Sequence, residues 1–128
     1  DVTGFGLLGH LVEMTRASKV DVELDLEKIP LLDGAMETVK KGIFSSLQPQ
    51  NLRLRRSIAN LEDAATSPRY PLIFDPQTSG GLLASIPAKT ADHCIEALRE
   101  LGYHSVASIG VVRARGKIPE SVYLAPGE

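Results

Sequence analysis

The sequence has 128 residues, which is enough for one domain with a core of its own. Its net charge of −2 and isoelectric point near 5.9 argue against a nucleic-acid or membrane surface as the main partner. A single cysteine excludes an internal disulfide and fits a reducing compartment, so we expect a cytoplasmic protein.

The chain opens with three glycines in eleven residues, in the stretch Asp-Val-Thr-Gly-Phe-Gly-Leu-Leu-Gly-His-Leu. Apolar residues recur there at spacings of three and four, which predicts a helix over residues 3–18 with Thr3 as its N-cap. Glycine inside a helix costs roughly 0.8–1 kcal/mol relative to alanine. Gly6 and Gly9 therefore indicate that another backbone or a ligand approaches this helix closely.

The same glycines match the dinucleotide-binding fingerprint G-x-G-x-x-G. That fingerprint follows a strand and is itself followed, about 20 positions later, by an acidic residue. Asp25 stands where the acidic residue would be needed. However, the first glycine follows a predicted helix cap instead of lying in a turn. Dinucleotide binding is therefore the weaker alternative to tight helix packing.

The middle of the chain contains one clear strand and less regular segments. Residues 20–26 alternate apolar and acidic side chains, which predicts a strand with one buried face. A helix is predicted over residues 31–41, ending at Gly42. Its inward-facing residues are Leu32, Ala35, Met36 and Val39. Loop-forming residues fill 43–50, and a further helix is predicted over residues 51–65.

This further helix carries a basic cluster made of Arg53, Arg55 and Arg56. Guanidinium groups bind phosphate well, so the cluster could hold an anion. Because Glu62 and Asp63 follow closely, a solvated and locally neutralised helix face is the favoured interpretation.

The second half begins with two predicted strands, at residues 71–74 and 82–86. The seven residues between them form a polar loop. A helix is predicted over residues 88–101, after Pro87 and before Gly102. Its apolar face consists of Ala91, Cys94, Ile95, Leu98 and Leu101.

The last part of the chain adds a strand at residues 106–112, an edge strand at 121–124 and a tail at 126–128. Helices and strands thus alternate irregularly along the sequence. This order predicts an α+β fold, with helices packed as a layer on a mixed or antiparallel sheet. We predict that residues 1–128 form a single domain.

Two stretches resemble the C-terminal domain of selenophosphate synthetase (selenide, water dikinase), within the aminoimidazole ribonucleotide synthetase-related superfamily. The first is the opening stretch, with Glu13-Met14 after it. The second is Asp-Pro-Gln-Thr-Ser-Gly-Gly-Leu-Leu at residues 75–83. Ser-Ser-Leu-x-Pro-x-Asn at residues 45–51 is similar to a segment of bacterial members. The two main motifs stand in the family's order and at about its spacing, and the resemblance spans residues 1–112.

The resemblance implies the fold of the aminoimidazole ribonucleotide synthetase C-terminal domain. It also implies a homodimeric enzyme that makes selenophosphate, AMP and phosphate from ATP, selenide and water, using Mg²⁺. The family's ATP-binding N-terminal domain carries the reactive Cys or selenocysteine, the catalytic Lys and two metal-binding aspartates. We expect that domain to lie outside these 128 residues, since the chain opens directly on the first motif. The chain alone is then expected to be inactive.

Asp1 is the candidate metal ligand. A carboxylate beside a helix start suits Mg²⁺, which takes oxygen ligands and keeps several waters. Considered alone, a lone aspartate of this kind is more often simply solvated. The resemblance implies that Asp1 binds the metal of the ATP site together with the two aspartates of the N-terminal domain.

Four residues form a candidate anion-binding loop: Thr78, Ser79, Gly80 and Gly81. Their hydroxyl groups and free amides could donate hydrogen bonds to a phosphate. Alternatively, the two glycines could relieve strain in a tight connection between strands. The sequence leaves both interpretations open.

The cysteine and the three histidines are predicted to have structural roles. Cys94 lies on an apolar helix face and is predicted to pack in the core. His10, His93 and His104 show no metal-site spacing with one another. His10 is expected on the helix surface or at an interface.

Two alternatives concern the function of the whole protein. Aminoimidazole ribonucleotide synthetase, thiamine monophosphate kinase and a hydrogenase maturation protein share this domain type and an Asp-x-Thr/Ser-Gly start. Phe5 and the surroundings of His10 favour selenophosphate synthetase among them. The chain could instead be a non-catalytic domain that acts only by binding a partner.

Overall fold

The computed structural model of the chain describes residues 1–125, so the tail predicted at 126–128 lies outside the described residues. The α-helices are Gly6–Ser18 (α1), Ala35–Lys40 (α2), Gln48–Asn51 (α3), Leu61–Ala64 (α4) and Ala91–Glu100 (α5). The strands are Val20–Asp25 (β1), Gly110–Ala114 (β2) and Val122–Ala125 (β3). Short 3₁₀ turns lie at Leu26–Lys28, Leu52–Ser57, Tyr70–Phe74 and Ala88–Thr90.

The strands form one mixed sheet with β1 in the centre. β2 pairs with β1 in the antiparallel sense, with Gly110 opposite Leu24. β3 pairs with the other edge of β1 in the parallel sense, with Leu124 opposite Leu24. The α+β prediction, with helices on a mixed sheet, is confirmed.

The core lies between α1 and one face of this sheet. The strand alternation turns Val22 and Leu24 of β1 inward, beside Val122 and Leu124 of β3. The other buried members are Leu8, Leu11, Val12, Leu26, Ile58, Ala64, Ile73 and Phe74. A buried hydrogen bond of 2.8 Å between the hydroxyls of Thr15 and Ser121 also ties α1 to the start of β3.

The first helix begins later than predicted, at Gly6, and Thr3 does not cap it. The Thr3 hydroxyl instead lies 3.0 Å from His10 Nε2, while the Thr3 carbonyl accepts from the Gly6 amide. A capping interaction was expected from the residue type alone, but the Thr3 hydroxyl oxygen contacts His10, in the second turn of α1, and not the free amides of the first turn. The end of the helix is as predicted, with Lys19 following in the left-handed conformation at φ 55°.

The long helix predicted over residues 51–65 is wrong. The Leu52–Ser57 turn ends at Ile58, whose backbone is extended and bridges to Val122 of β3. The next amide, that of Ala59, donates to the Val122 carbonyl at 2.7 Å. Pairing with the sheet thus interrupts the helical path, which resumes only in the short α4.

The two strands predicted at 71–74 and 82–86 are also wrong. The first is a 3₁₀ turn, which buries Ile73 and Phe74, because a short apolar run does not distinguish a strand from a buried turn. The second has no ladder partner among residues 1–125, and Leu82 is 86% exposed. Both edges of β1 are already occupied by β2 and β3.

The remaining predicted elements exist with shifted bounds. α2 is shorter than predicted, and Leu32 before it is 78% exposed instead of inward-facing. α5 begins three residues later than predicted and ends one residue earlier, at Glu100; its apolar face is only half-buried, and Leu101 is exposed. β2 begins four residues later than predicted, at Gly110, where a Cβ would collide with the Glu23 carbonyl.

No helix in the described part of the chain is long and apolar enough to cross a membrane. This agrees with the absence of a long apolar run in the sequence.

We predict that Leu24→Ala destabilises the chain by about 2–5 kcal/mol, because Leu24 is 1% exposed at the centre of the sheet. Leu82→Ala is the matched control, and we expect it to change the free energy of unfolding by less than about 0.5 kcal/mol. Urea unfolding of both variants measures the difference. Equal losses would mean that residues 82–86 pack in the core after all.

Candidate functional site

The two long sequence motifs lie side by side. The Val2 amide donates to the Gly81 carbonyl at 2.9 Å, and the Gln77 amide donates to the Thr3 carbonyl at 3.1 Å. We call residues 1–10 and 75–81 the paired segments. Their backbone contacts bring the candidate metal ligand and the candidate anion-binding loop to one place in the fold.

Two glycines permit this close approach. Gly80 lies so near the Val2 carbonyl oxygen that an added Cβ would collide with it. Gly6 adopts a positive φ of 74°, and a Cβ there would come within 2.9 Å of the Ile73 carbonyl oxygen. Close approach of another backbone, one of the explanations offered for the helix glycines, is therefore confirmed for Gly6.

Asn51 joins the paired segments from a third direction. Its side-chain Nδ2 donates to the Gly4 carbonyl at 2.9 Å and to the Phe74 carbonyl at 3.0 Å. Asn51 is only 5% exposed and Phe74 is fully buried, so the second bond satisfies a carbonyl that water does not reach, whereas Gly4 is exposed. Sequence reasoning assigned Asn51 no role; the signal was the resemblance of residues 45–51 to a family segment.

The predicted site residues lie at the surface of this arrangement. Asp1, Thr78 and Ser79 are exposed, while Gly80 is half-buried against Val2. These positions leave a carboxylate and two hydroxyls open to a ligand.

The described residues do not form a complete metal site. Among them, no group of three or more His, Cys, Asp or Glu side chains could hold a metal ion. Asp1 has the hard oxygen donor that Mg²⁺ prefers.

Asp75, in the second of the paired segments, is a titratable group whose pKa departs from its ordinary value. It is half-buried, and Gln77 Nε2 donates to its Oδ2 at 2.9 Å. Burial raises the pKa of the Asp75 carboxyl above its ordinary value, and the hydrogen bond from Gln77 opposes that rise.

The other reactive side chains lie elsewhere. Cys94 is half-buried on α5, so the core position predicted for it is not observed. His93 and His104 are exposed. The arginines at positions 53, 55 and 56 are exposed on the Leu52–Ser57 turn.

Comparison with known proteins identifies the domain. The family described as "AIR synthase related protein, C-terminal domain" matches residues 1–121. The chain belongs to this family. Both paired segments lie within the matched residues, so their contact is part of the AIR synthase-related domain itself.

The chain is also similar to proteins named selenide, water dikinase. It is 34% identical over 121 residues to that of Clostridioides difficile (strain 630), covering 91% of the chain and 34% of the relative. The one from Geobacter metallireducens is 38% identical, with 90% and 33% covered. The one from Myxococcus xanthus is 39% identical, with 89% and 32% covered. The chain therefore spans about a third of the length of these relatives.

We predict that Gly80→Ala costs about 1–3 kcal/mol of stability, because the new methyl group would push the Val2 carbonyl away from the loop. Gly81→Ala is the matched control: an added Cβ there meets nothing within 4 Å. Denaturant midpoints of the two variants test this. A Gly81→Ala loss as large as that of Gly80→Ala would contradict the packing explanation.

The raised pKa of Asp75 predicts a pH dependence of stability. The folded chain binds the Asp75 proton more tightly than the unfolded chain does. Protonation of Asp75 therefore adds to the free energy of unfolding at pH values below the ordinary Asp pKa. This stabilisation is lost as pH rises through the folded-state pKa. Asp75→Asn, which keeps an acceptor for Gln77, should therefore be more stable than the parent at pH 7. The gap should close as pH falls below about 4.

Urea unfolding between pH 3 and 7 measures this gap. Asp33→Asn, which changes an exposed carboxylate, is the control and should show no comparable convergence. A gap of constant size across the range would show that charge burial at Asp75 is not its cause.

Proposed function

We propose that the chain is the C-terminal domain of a selenide, water dikinase, which makes selenophosphate, AMP and phosphate from ATP, selenide and water. The observation that carries the proposal is that both motifs of that enzyme come into contact in this fold. The names of the relatives, which match along about nine tenths of the chain, support the same reading.

The contribution of this domain would be one metal ligand and a phosphate-facing loop. Phosphoryl transfer depends mainly on positioning and on neutralising charge. Asp1 would bind Mg²⁺, which offsets the negative charge of the ATP phosphates. Thr78 and Ser79, with the amides of Gly80 and Gly81, would donate hydrogen bonds to a phosphate oxygen.

The rest of the enzyme would come from outside this chain. The relatives are about three times as long, which leaves room for an ATP-binding N-terminal domain with the remaining metal ligands. We propose that the full-length protein is a cytoplasmic homodimer and that this domain alone does not consume ATP, because one carboxylate does not make a metal site.

We predict that Asp1→Asn in the full-length protein lowers ATP consumption by at least about a hundredfold and raises the Mg²⁺ concentration needed for half-maximal turnover. The amide keeps the shape of the side chain but loses the charge that binds the cation. Asp92→Asn, at an exposed carboxylate on α5, is the control and should leave both quantities unchanged. Normal turnover with an unshifted Mg²⁺ requirement would remove Asp1 from the metal site.

A further inference from the structure

His10 lies at the centre of a small network within the first of the paired segments. Its Nε2 is 3.0 Å from the Thr3 hydroxyl, and its Nδ1 is 3.7 Å from Glu13 Oε1, one helical turn further along α1. The Phe5 ring lies against it, with 5.4 Å between ring centroids. The His10 side chain is only 20% exposed, whereas that of Glu13 is 60% exposed.

The two ring nitrogens of His10 have different neighbours. Nε2 is within hydrogen-bond distance of the Thr3 hydroxyl, which donates or accepts according to the tautomer of the ring. Nδ1 is 3.7 Å from the carboxylate of Glu13, which is too far for a hydrogen bond. The bond to Thr3 is therefore the interaction through which the His10 ring acts in this network.

Thr3 is the residue through which this network reaches the site. Its carbonyl accepts from the amides of Gly6 and Gln77, and its hydroxyl is held by His10. The backbone between Asp1 and Thr3 is held by the bond from Val2 to Gly81. Thr3 is thus fixed on one side by the second paired segment and on the other side by α1.

We propose that His10 is a positioning residue that orients Thr3 and, through it, the Asp1 carboxylate. This inference rests on the proposed function, in which Asp1 binds Mg²⁺. It gives a purpose to a histidine that has no metal-site spacing. Residues that hydrogen-bond directly to a metal ligand typically change metal affinity by 10–100-fold when they are mutated. His10 acts through Thr3, so we expect an effect at the lower end of this range.

The first test needs no metal. In the 128-residue chain, amide hydrogen exchange should become about three- to tenfold faster at Gln77 in His10→Ala and in Thr3→Val, since one hydrogen bond of ordinary strength is lost. Exchange at Val22, whose amide donates to Ser121 in the sheet, should not change. Unchanged exchange at Gln77 in both variants would overturn the proposal.

The second test measures Mg²⁺ binding to the full-length protein by calorimetry. His10→Ala and Thr3→Val should each weaken binding by about tenfold. His10→Gln should restore most of it, because its side-chain amide can donate to the Thr3 hydroxyl or accept from it. The double variant should bind no more weakly than either single variant, since both remove the same interaction.

The control is Val12→Ala, at a buried position of α1 that does not share the helix face of His10, since residues two apart do not face each other. It should lower stability without changing Mg²⁺ affinity. If it weakens binding as much as His10→Ala does, general loosening of α1 is the cause and the positioning role is wrong. If His10→Ala does not fold, the Mg²⁺ affinity of Thr3→Val tests the positioning role in its place.

Asp1→Asn in the same calorimetric series separates the two proposals. If it weakens Mg²⁺ binding while His10→Ala and Thr3→Val do not, the role of His10 is overturned and the proposed function stands. If Asp1→Asn leaves binding unchanged, the proposed function loses its metal ligand and the role of His10 fails with it.

Discussion

The hydrogen bond from the Val2 amide to the Gly81 carbonyl is the contact on which the site depends. It joins two segments that are far apart in sequence, and it forms only because no side chain stands between them. Gly80 has to lack a Cβ for the Val2 carbonyl to reach its observed position. The need to avoid a collision with the Val2 carbonyl therefore restricts position 80 to glycine.

Buried polar groups make the arrangement specific. The carbonyls of Gly4 and Phe74 both receive their hydrogen bonds from a single side-chain amide, that of Asn51. A buried acceptor without a donor costs about 1–3 kcal/mol, so a displaced Asn51 would leave this penalty at the buried carbonyl of Phe74. The fold therefore favours one relative position of the paired segments over nearby alternatives in which their apolar contacts would be similar.

The elements that the sequence predicted well are those with a strong internal pattern. The alternation over residues 20–26 identified β1, and spacings of three and four identified the body of α1. The candidate residues Asp1 and Thr78–Gly81 could be proposed from the two motifs, and the structure places those motifs in contact. Their roles as ligands stay predictions.

The failures have a common origin in long-range contacts. Ile58 has an extended backbone because it bridges to Val122, and no pattern within residues 51–65 indicates that this contact forms. The apolar run at 71–74 is buried as a turn, since burial alone does not determine backbone conformation. Thr3 has the residue type of a cap, but its hydroxyl meets His10. Asn51 was overlooked for the same reason, because its two acceptors lie in other parts of the chain.

The position of β1 in the sheet has a consequence for how the protein is made. Both neighbours of β1 come from the last part of the chain, although β1 itself follows the first helix. During synthesis the ribosome therefore releases the central strand long before either partner exists. Contacts between distant parts of a chain form slowly, because the closure entropy has to be overcome first. The nascent chain would carry an unpaired strand with one apolar face until residues 110–125 have been made, a period in which chaperones are expected to engage it.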